Sequence, residues 1–248
     1  MTQPSKNFSS RKNPIAKTTK YISKNGKSLL LRRIQKSSAN GYYRTGTFLN
    51  EVVWNGTSFI YSTQTKKQKT DFRKGLFLFS MVRADAKKFI ANNVIKLPKK
   101  YPTVHYNKEY VDNGEKMTAT DLNHAYWRIA YNLGIISSNT YGRGLPEEFK
   151  HIRLSALSTI GAGKKYQKII KGVITDKVVE VGRNEELAQI YKLIRYTCYK
   201  YMMHVKKLLK KDFIAYKTDC CFYVSTKENK RIVREYLKSL GLEMKQLN

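Results

Sequence analysis

Between Asn184 and about Lys211 the apolar residues Leu187, Ile190, Ile194, Cys198, Tyr201, Val205 and Leu208 recur at steps of three and four. That is one face of a 3.6-residue helix. Asn184 is placed to cap it, with Glu185 and Glu186 in the first turn, where the helix dipole favours carboxylates. The next segment is FIAYK, a tight turn at Thr218 and Asp219, then CCFYV. Its aromatic and β-branched content predicts strand, turn and strand. A helix with one apolar stripe has to lay that stripe on something, and a hairpin directly after it supplies a sheet. This pair of elements constrains the rest of the chain more than any other feature.

The surrounding segments extend the same pattern. KMTATDLNHAYWRIAYNLGI runs from a strand into a helix. KENKRIVREYLKSLG is a helix stopped by Gly241, and LEMKQLN closes as a strand. Residues Glu147 to Ile160 and Lys164 to Val173 are expected to be helical, and VITDKVVEV to be a strand. From residue 116 onward this order gives an α+β fold, an antiparallel sheet with helices on one side. Upstream, LLLRRI and FLNEVVWNGTSFIYST turn β, with Asn55-Gly56 suited to a two-residue hairpin turn. GLFLFSMV is expected as a further strand and ADAKKFIANN as a short helix. Pro98 and Pro102 bracket a basic linker. The expected organisation is a flexible basic arm over 1–28, a small β-rich region over 29–100 and the helix-covered sheet over 101–248. The arm carries Arg11 and Lys12 and no acid, so it is a candidate grip on phosphates.

The chain of 248 residues holds 48 Lys and Arg against 18 Asp and Glu, a formal charge of +30. Self-repulsion on that scale is relieved by a polyanion, and nucleic acid is the natural one. Lys206, Lys207, Lys210 and Lys211, on the wet face of the long helix, are candidate phosphate contacts. No run of about 18 apolar residues spans a bilayer and no signal-peptide core follows the N-terminus. No membrane partner is therefore expected, and the expected location is intracellular. Cys198, Cys220 and Cys221 form no disulfide framework and show no zinc spacing, and the four histidines are scattered.

Against that basic background two carboxylates stand out. Asp219 sits inside a strand-like run that normally excludes aspartate, and Asp121 ends the strand KMTATD where a helix begins. If their strands lie side by side, the pair can hold divalent cations for phosphoryl transfer. The plainer alternatives are a helix cap for Asp121 and a turn residue for Asp219.

DLNHAYW (121–127) resembles motif A of the family B DNA polymerases, an Asp followed five residues later by a Tyr. RLSALSTIG (153–161) is similar to their motif B, with Arg153, Ser158 and Gly161 on its basic, Ser and Gly positions. YKTDCC (216–221) is similar to motif C, with Tyr216, Thr218 and Asp219 matching. The resemblance covers roughly residues 116–247. It implies a polymerase-like palm in which Asp121 and Asp219 hold Mg2+ (or Mn2+), with the Leu122 carbonyl as a further ligand. It also implies that Tyr126 lies under the incoming sugar as a steric gate and that Arg153 grips the triphosphate. Ser158 would lie with Arg153 at the nucleotide, and Gly161 would let its helix approach the nascent base pair. Tyr216 and Thr218 would support the hairpin tip. Trp127, Leu157, Ile160 and Lys217 depart from the family's Pro, Asn, Tyr and first Asp, and Cys220 replaces its Ser.

The expected function is thus a minimal, template-directed DNA nucleotidyltransferase without an exonuclease domain. Its partners would be DNA (or RNA), deoxynucleoside triphosphates and replication or virion proteins, in the host cytoplasm or a virion of a phage or mobile element. The alternative is a palm that has lost catalysis and serves as a DNA-binding accessory or packaged protein. A reverse transcriptase would share the Asp-to-aromatic spacing of motif A, but the Tyr-x-Asp-Asp hairpin it needs is absent.

Overall fold

The computed structural model describes residues 15–46, 49–62 and 66–247; Arg11 and Lys12 lie outside them. The elements in chain order are β1 (Thr18–Tyr21), α1 (Lys24–Lys36), β2 (Gly41–Arg44), β3 (Leu49–Trp54), β4 (Thr57–Ser62) and α2 (Lys66–Asn92). There follow β5 (Val104–Tyr106), β6 (Met117–Asn123), α3 (Ala125–Asn132), α4 (Ser138–Gly144), α5 (Lys150–Ser158), β7 (Lys164–Ile170) and β8 (Val173–Val181). The last are α6 (Glu185–Leu209), β9 (Phe213–Lys217), β10 (Cys220–Val224), α7 (Lys227–Ser239) and β11 (Glu243–Leu247). The fold is α+β, with sheets that are antiparallel except for the β1–β4 pair.

Two compact units divide the chain, one of Met1–Lys74 with Ala162–Asn184, the other of Gly75–Gly161 with Glu185–Asn248. The division therefore falls inside α2 and not at the Pro98–Pro102 linker, and the β7–β8 hairpin belongs with the N-terminal residues.

In the first unit the strand order is β1-β4-β3-β2-β7-β8. α1 packs Leu30 and Ile34 against Val52, Tyr61 and Ile169. Asn55 and Gly56 take left-handed φ values of 46° and 70° in the β3–β4 turn, as the Asn-Gly pair predicts. Glu51 of β3 is buried in this sheet, accepts from the hydroxyls of Ser58 and Tyr166, and has Lys164 at 3.5 Å.

Three expectations fail here. Residues 15–28 are not an arm, since Thr18–Tyr21 pairs parallel to β4 and Ser23 caps α1 by accepting from the Gly26 N–H at 3.0 Å. LLLRRI is helical, not β: its inward residues Leu30 and Ile34 are four apart, while Leu29 is exposed. Lys164–Ile170 is a strand, not a helix. The pairing with β8 shifts register between Gln167 and Ile169, so the buried Tyr166 and Ile169 stand three apart. A bulge has given a strand the spacing of a helix.

In the second unit the order is β11-β6-β10-β9-β5. Thr118, Thr120, Leu122, Phe213, Tyr216, Cys221 and Tyr223 form its buried side, and α6 lies against it with the Tyr199 ring 6.0 Å from that of Tyr216. The periodicity expected of α6 holds for Leu187, Ile190, Ile194, Cys198 and Val205, all buried, but Tyr201 is only half-buried and Leu208 is exposed, with Met202 and Leu209 facing inward in their place. GLFLFSMV, by contrast, is part of α2 and not a strand: Leu78, Val82 and Ala86 recur every four residues and are fully buried. Leu76, Phe77 and Phe79 crowd the same run and hide that period. No helix of the described residues is long and apolar enough to cross a membrane.

α4 is pinned to α2 through one carboxylate. Asp85 accepts from the Ser137 N–H and hydroxyl, both at 2.8 Å, and from the Thr140 hydroxyl at 2.5 Å. Burial raises its proton affinity, but these bonds outweigh burial and hold the carboxyl below its ordinary value. Asp85→Ala is therefore expected to cost about 1–2 kcal/mol at pH 7, measured by urea unfolding. A depressed folded-state value makes this contribution fully present above the unfolded carboxylate pKa of about 3.9. The gap between wild type and variant should close as the pH falls below that.

Candidate active site

β6 and β10 run antiparallel with Asp121 opposite Cys220 and Thr120 opposite Cys221. This register sets Asp121 beside the hairpin tip. The Leu122 N–H donates to the Asp219 carbonyl at 3.1 Å, which ties the two acidic residues together through the backbone. Asp121 does not cap the following helix. The N-cap of α3 is His124, at a left-handed φ of 52° with no side-chain cap bond, so the Asp121 carboxyl is free for another task.

Thr218 builds the tip under strain. It takes φ 56°, a conformation unfavourable for a β-branched residue. It is held there by its N–H donating to the Thr103 carbonyl at 2.8 Å and by the Cys198 thiol donating to its own carbonyl at 3.5 Å. Its hydroxyl reaches Asp219 Oδ1 at 2.8 Å. Tyr216 packs beneath, fully buried, its hydroxyl donating to the Pro102 carbonyl at 2.6 Å.

Electrostatics mark the same place. Burial, then the neighbouring Asp219 charge, raises the Asp121 carboxyl above its ordinary value against the pull of Lys245 and Lys150. The Cys220 thiol is pushed up to about 11 by burial and by both carboxylates. Tyr126, half-buried on α3, is held protonated by burial, Cys198 and Asp219. Among the described residues no Lys or Arg nitrogen lies within 4 Å of either carboxylate.

Sequence reasoning missed the α6 side of the site. Tyr191 meets Tyr126 edge-on at 5.9 Å, and Arg195 lies 5.9 Å over the Tyr191 ring. Burial and Asp219 both raise the Tyr191 phenol. Tyr191, Arg195 and Cys198 are spaced i, i+4, i+7 on α6. That signal becomes readable once the phase of the apolar stripe is fixed.

The motif B residues go elsewhere. Arg153 is 1% exposed, and its guanidinium donates to the carbonyls of Gly144, Leu145 and Pro146 at 2.8, 3.1 and 3.2 Å. It also donates to His124 Nδ1 at 2.6 Å, an acceptor kept neutral by burial and by Arg153 itself. Its donors are spent on holding the α4–α5 connection, so the expected grip on a triphosphate is replaced by a structural tie. Ser158 is exposed at the end of α5, its hydroxyl on the Ser155 carbonyl, and Gly161 follows that helix at φ 75°. No hydrogen bond among the described residues links either to the carboxylates. Lys206 contacts His105 Nε2 at 3.1 Å, while Lys207, Lys210 and Lys211 are exposed.

The carboxylate pair fits a hard divalent cation. Mg2+ is commonly held by one or two carboxylates and completes its shell with water and substrate phosphates. Two carboxylates meet that requirement, although among the described residues no three His, Cys, Asp or Glu side chains group together. The chain matches no family model, no curated protein and no solved structure.

The raised carboxyl of Asp121 carries a sign. A folded-state value above the unfolded one means that stability falls as the pH rises through that interval, so at pH 7 the ionised group destabilises the fold. Asp121→Asn should therefore raise the melting temperature at pH 7 and lose that advantage below about pH 4. Thermal unfolding at both pH values reads the difference. A variant less stable than wild type at pH 7 would contradict the like-charge pair.

Proposed function

We propose that the second unit is a palm-type nucleotidyltransferase of the family B polymerase kind, extending a nucleic-acid strand from deoxynucleoside triphosphates. The observation that carries this reading is the Asp121–Asp219 pair, held together by the β6–β10 register, with no ion-pair partner among the described residues. Asp121 and Asp219 would hold Mg2+ or Mn2+. Such a metal supplies charge stabilisation at the transferring phosphoryl group and lowers the pKa of the attacking hydroxyl. Thr218 keeps the Asp219 carboxylate oriented through the 2.8 Å bond to Oδ1. Tyr126, whose phenol feels the Asp219 charge, would press on the sugar of the incoming nucleotide and reject a 2′-hydroxyl. The positive charge of the chain supports a nucleic-acid partner.

A second reading, a palm retained only for binding DNA, draws on two observations. Lys217 and Lys245 flank Asp121 and Cys220 in one cross-strand row, where cations oppose metal binding. Arg153, the expected triphosphate ligand, is committed to the fold.

Primer extension with Mg2+ or Mn2+ and all four deoxynucleotides separates the two. Wild type should incorporate, and the Asp121→Asn, Asp219→Asn double variant should lose about a thousandfold, the equivalent of about 4 kcal/mol of transition-state stabilisation. Tyr126→Ala should retain extension and relax discrimination against ribonucleotides by at least about tenfold. Absence of extension, with oligonucleotide binding equal in wild type and double variant, would establish the binding-protein reading instead.

A further inference from the structure

The outer face of α7 carries its cations in single file. Lys227, Lys230, Arg234 and Lys238 succeed one another at steps of three and four, so they line one side of the helix over about 16 Å, with neighbours about 6 Å apart. Lys227, Arg234 and Lys238 are exposed and Lys230 is half-buried. The acids on this helix face, Glu228 and Glu235, are both taken by Arg231, at 2.6 and 2.8 Å. None of the four file cations has an ion-pair partner among the described residues.

The file does not stop at the helix end. Arg234 and Lys238 line two adjoining concavities, of about 430 and 630 Å3. The larger is completed by Asn123, Met244 and Arg128, together with Glu243, which pairs with Arg128 at 3.6 Å. Asn123 lies two residues beyond Asp121 on β6, and Lys245, next to Met244, sits directly opposite Asp121 in the β6–β11 register. The positive charge of α7 thus ends at this concavity, on the β6–β11 edge where Lys245 stands opposite Asp121.

We propose that this groove is the track of a single nucleic-acid strand, whose phosphates follow α7 and whose end is delivered to Asp121 and Asp219. The proposal rests on the nucleic-acid reading given above. A single row of evenly spaced cations matches one phosphodiester chain, and backbone neutralisation of this kind is independent of sequence. An anionic membrane surface is the lesser fit. α7 has spent its apolar face on the core through Val233 and Leu237, and none of its large apolar residues is exposed, so it has nothing to insert among lipid chains.

The test measures binding of a short, labelled single-stranded oligodeoxynucleotide across a salt series. It compares the full-length protein with the triple variant Lys227→Gln, Arg234→Gln, Lys238→Gln. A control triple, Lys96→Gln, Lys99→Gln, Lys100→Gln, removes the same charge from other exposed positions. Melting curves establish that both variants are folded. The α7 triple should lower the slope of log K against log salt by about 2 and weaken binding about a hundredfold at 0.1 M salt. The control triple should leave the slope close to that of wild type. Equal losses in both triples would overturn the track while leaving nucleic-acid binding in place. Wild-type binding that is absent or indifferent to salt would sink the nucleic-acid reading itself. Loss of binding by the α7 triple to phosphatidylserine vesicles, with oligonucleotide binding intact, would reassign the face to lipid.

Discussion

The register between β6 and β10 is the constraint on which the candidate site depends. Side chains alternate between faces along a strand, so a slip of one residue would carry Asp121 to the buried side and Thr120 to the open one. The register is supported by polar pairs between the two strands and the residue that follows them. Thr120 Oγ1 and the Tyr223 hydroxyl lie 2.8 Å apart, and the Thr118 hydroxyl donates to Ser225 Oγ at 2.6 Å. At the far end the Leu122 N–H meets the Asp219 carbonyl. A buried hydroxyl left unpaired costs about 1–3 kcal/mol, so each of these pairs opposes slippage. The strand that carries Asp121 is thus held in register by Thr118, Thr120 and Tyr223.

That placement works against stability, and the strain is concentrated at the hairpin tip. Asp219 faces another carboxylate, and Thr218 holds a left-handed backbone beside it. Neither serves packing, since apolar residues on the same two strands already fill the buried side. Local conflict of this kind belongs at functional sites, where the surrounding structure over-determines an unfavourable arrangement. Here the surroundings are Tyr216 below, Cys198 behind and Thr103 across the tip.

What the sequence made legible follows from where its periodicity is clean. Most of α6 and α7 carry a clean helical period, the aromatic and β-branched content of 213–224 marks a hairpin although its ladder shifts register between Phe222 and Tyr223, and the order of those elements is enough to bring Asp121 and Asp219 together. Where apolar residues crowd, period is lost: Leu29 to Leu31 and Leu76 to Phe79 read as strand although their inward residues step by four. β7 misleads in the opposite sense because its bulge sets Tyr166 and Ile169 three apart. The fate of Arg153 has no local signal at all. One arginine among so many basic residues gives no hint that three carbonyls from Gly144 to Pro146 will consume its donors, because those partners are supplied by a loop whose path only the folded chain defines.

The distribution of charge carries the last step. Residue counts alone give a positive molecule, and a diffuse field of that sign would attract any polyanion without positioning it. Position arises from where the cations stand and which of them are engaged by other groups. Lys206 is turned to His105, Arg153 to the loop carbonyls, and Arg231 to two glutamates. Lys227, Lys230, Arg234 and Lys238 have no ion-pair partner among the described residues, on a helix whose other face is fixed to the sheet that carries Asp121. What sets these four apart from exposed cations such as Lys207, Lys210 and Lys211 is their spacing at three and four along one helix face, which gives the charge of α7 a direction.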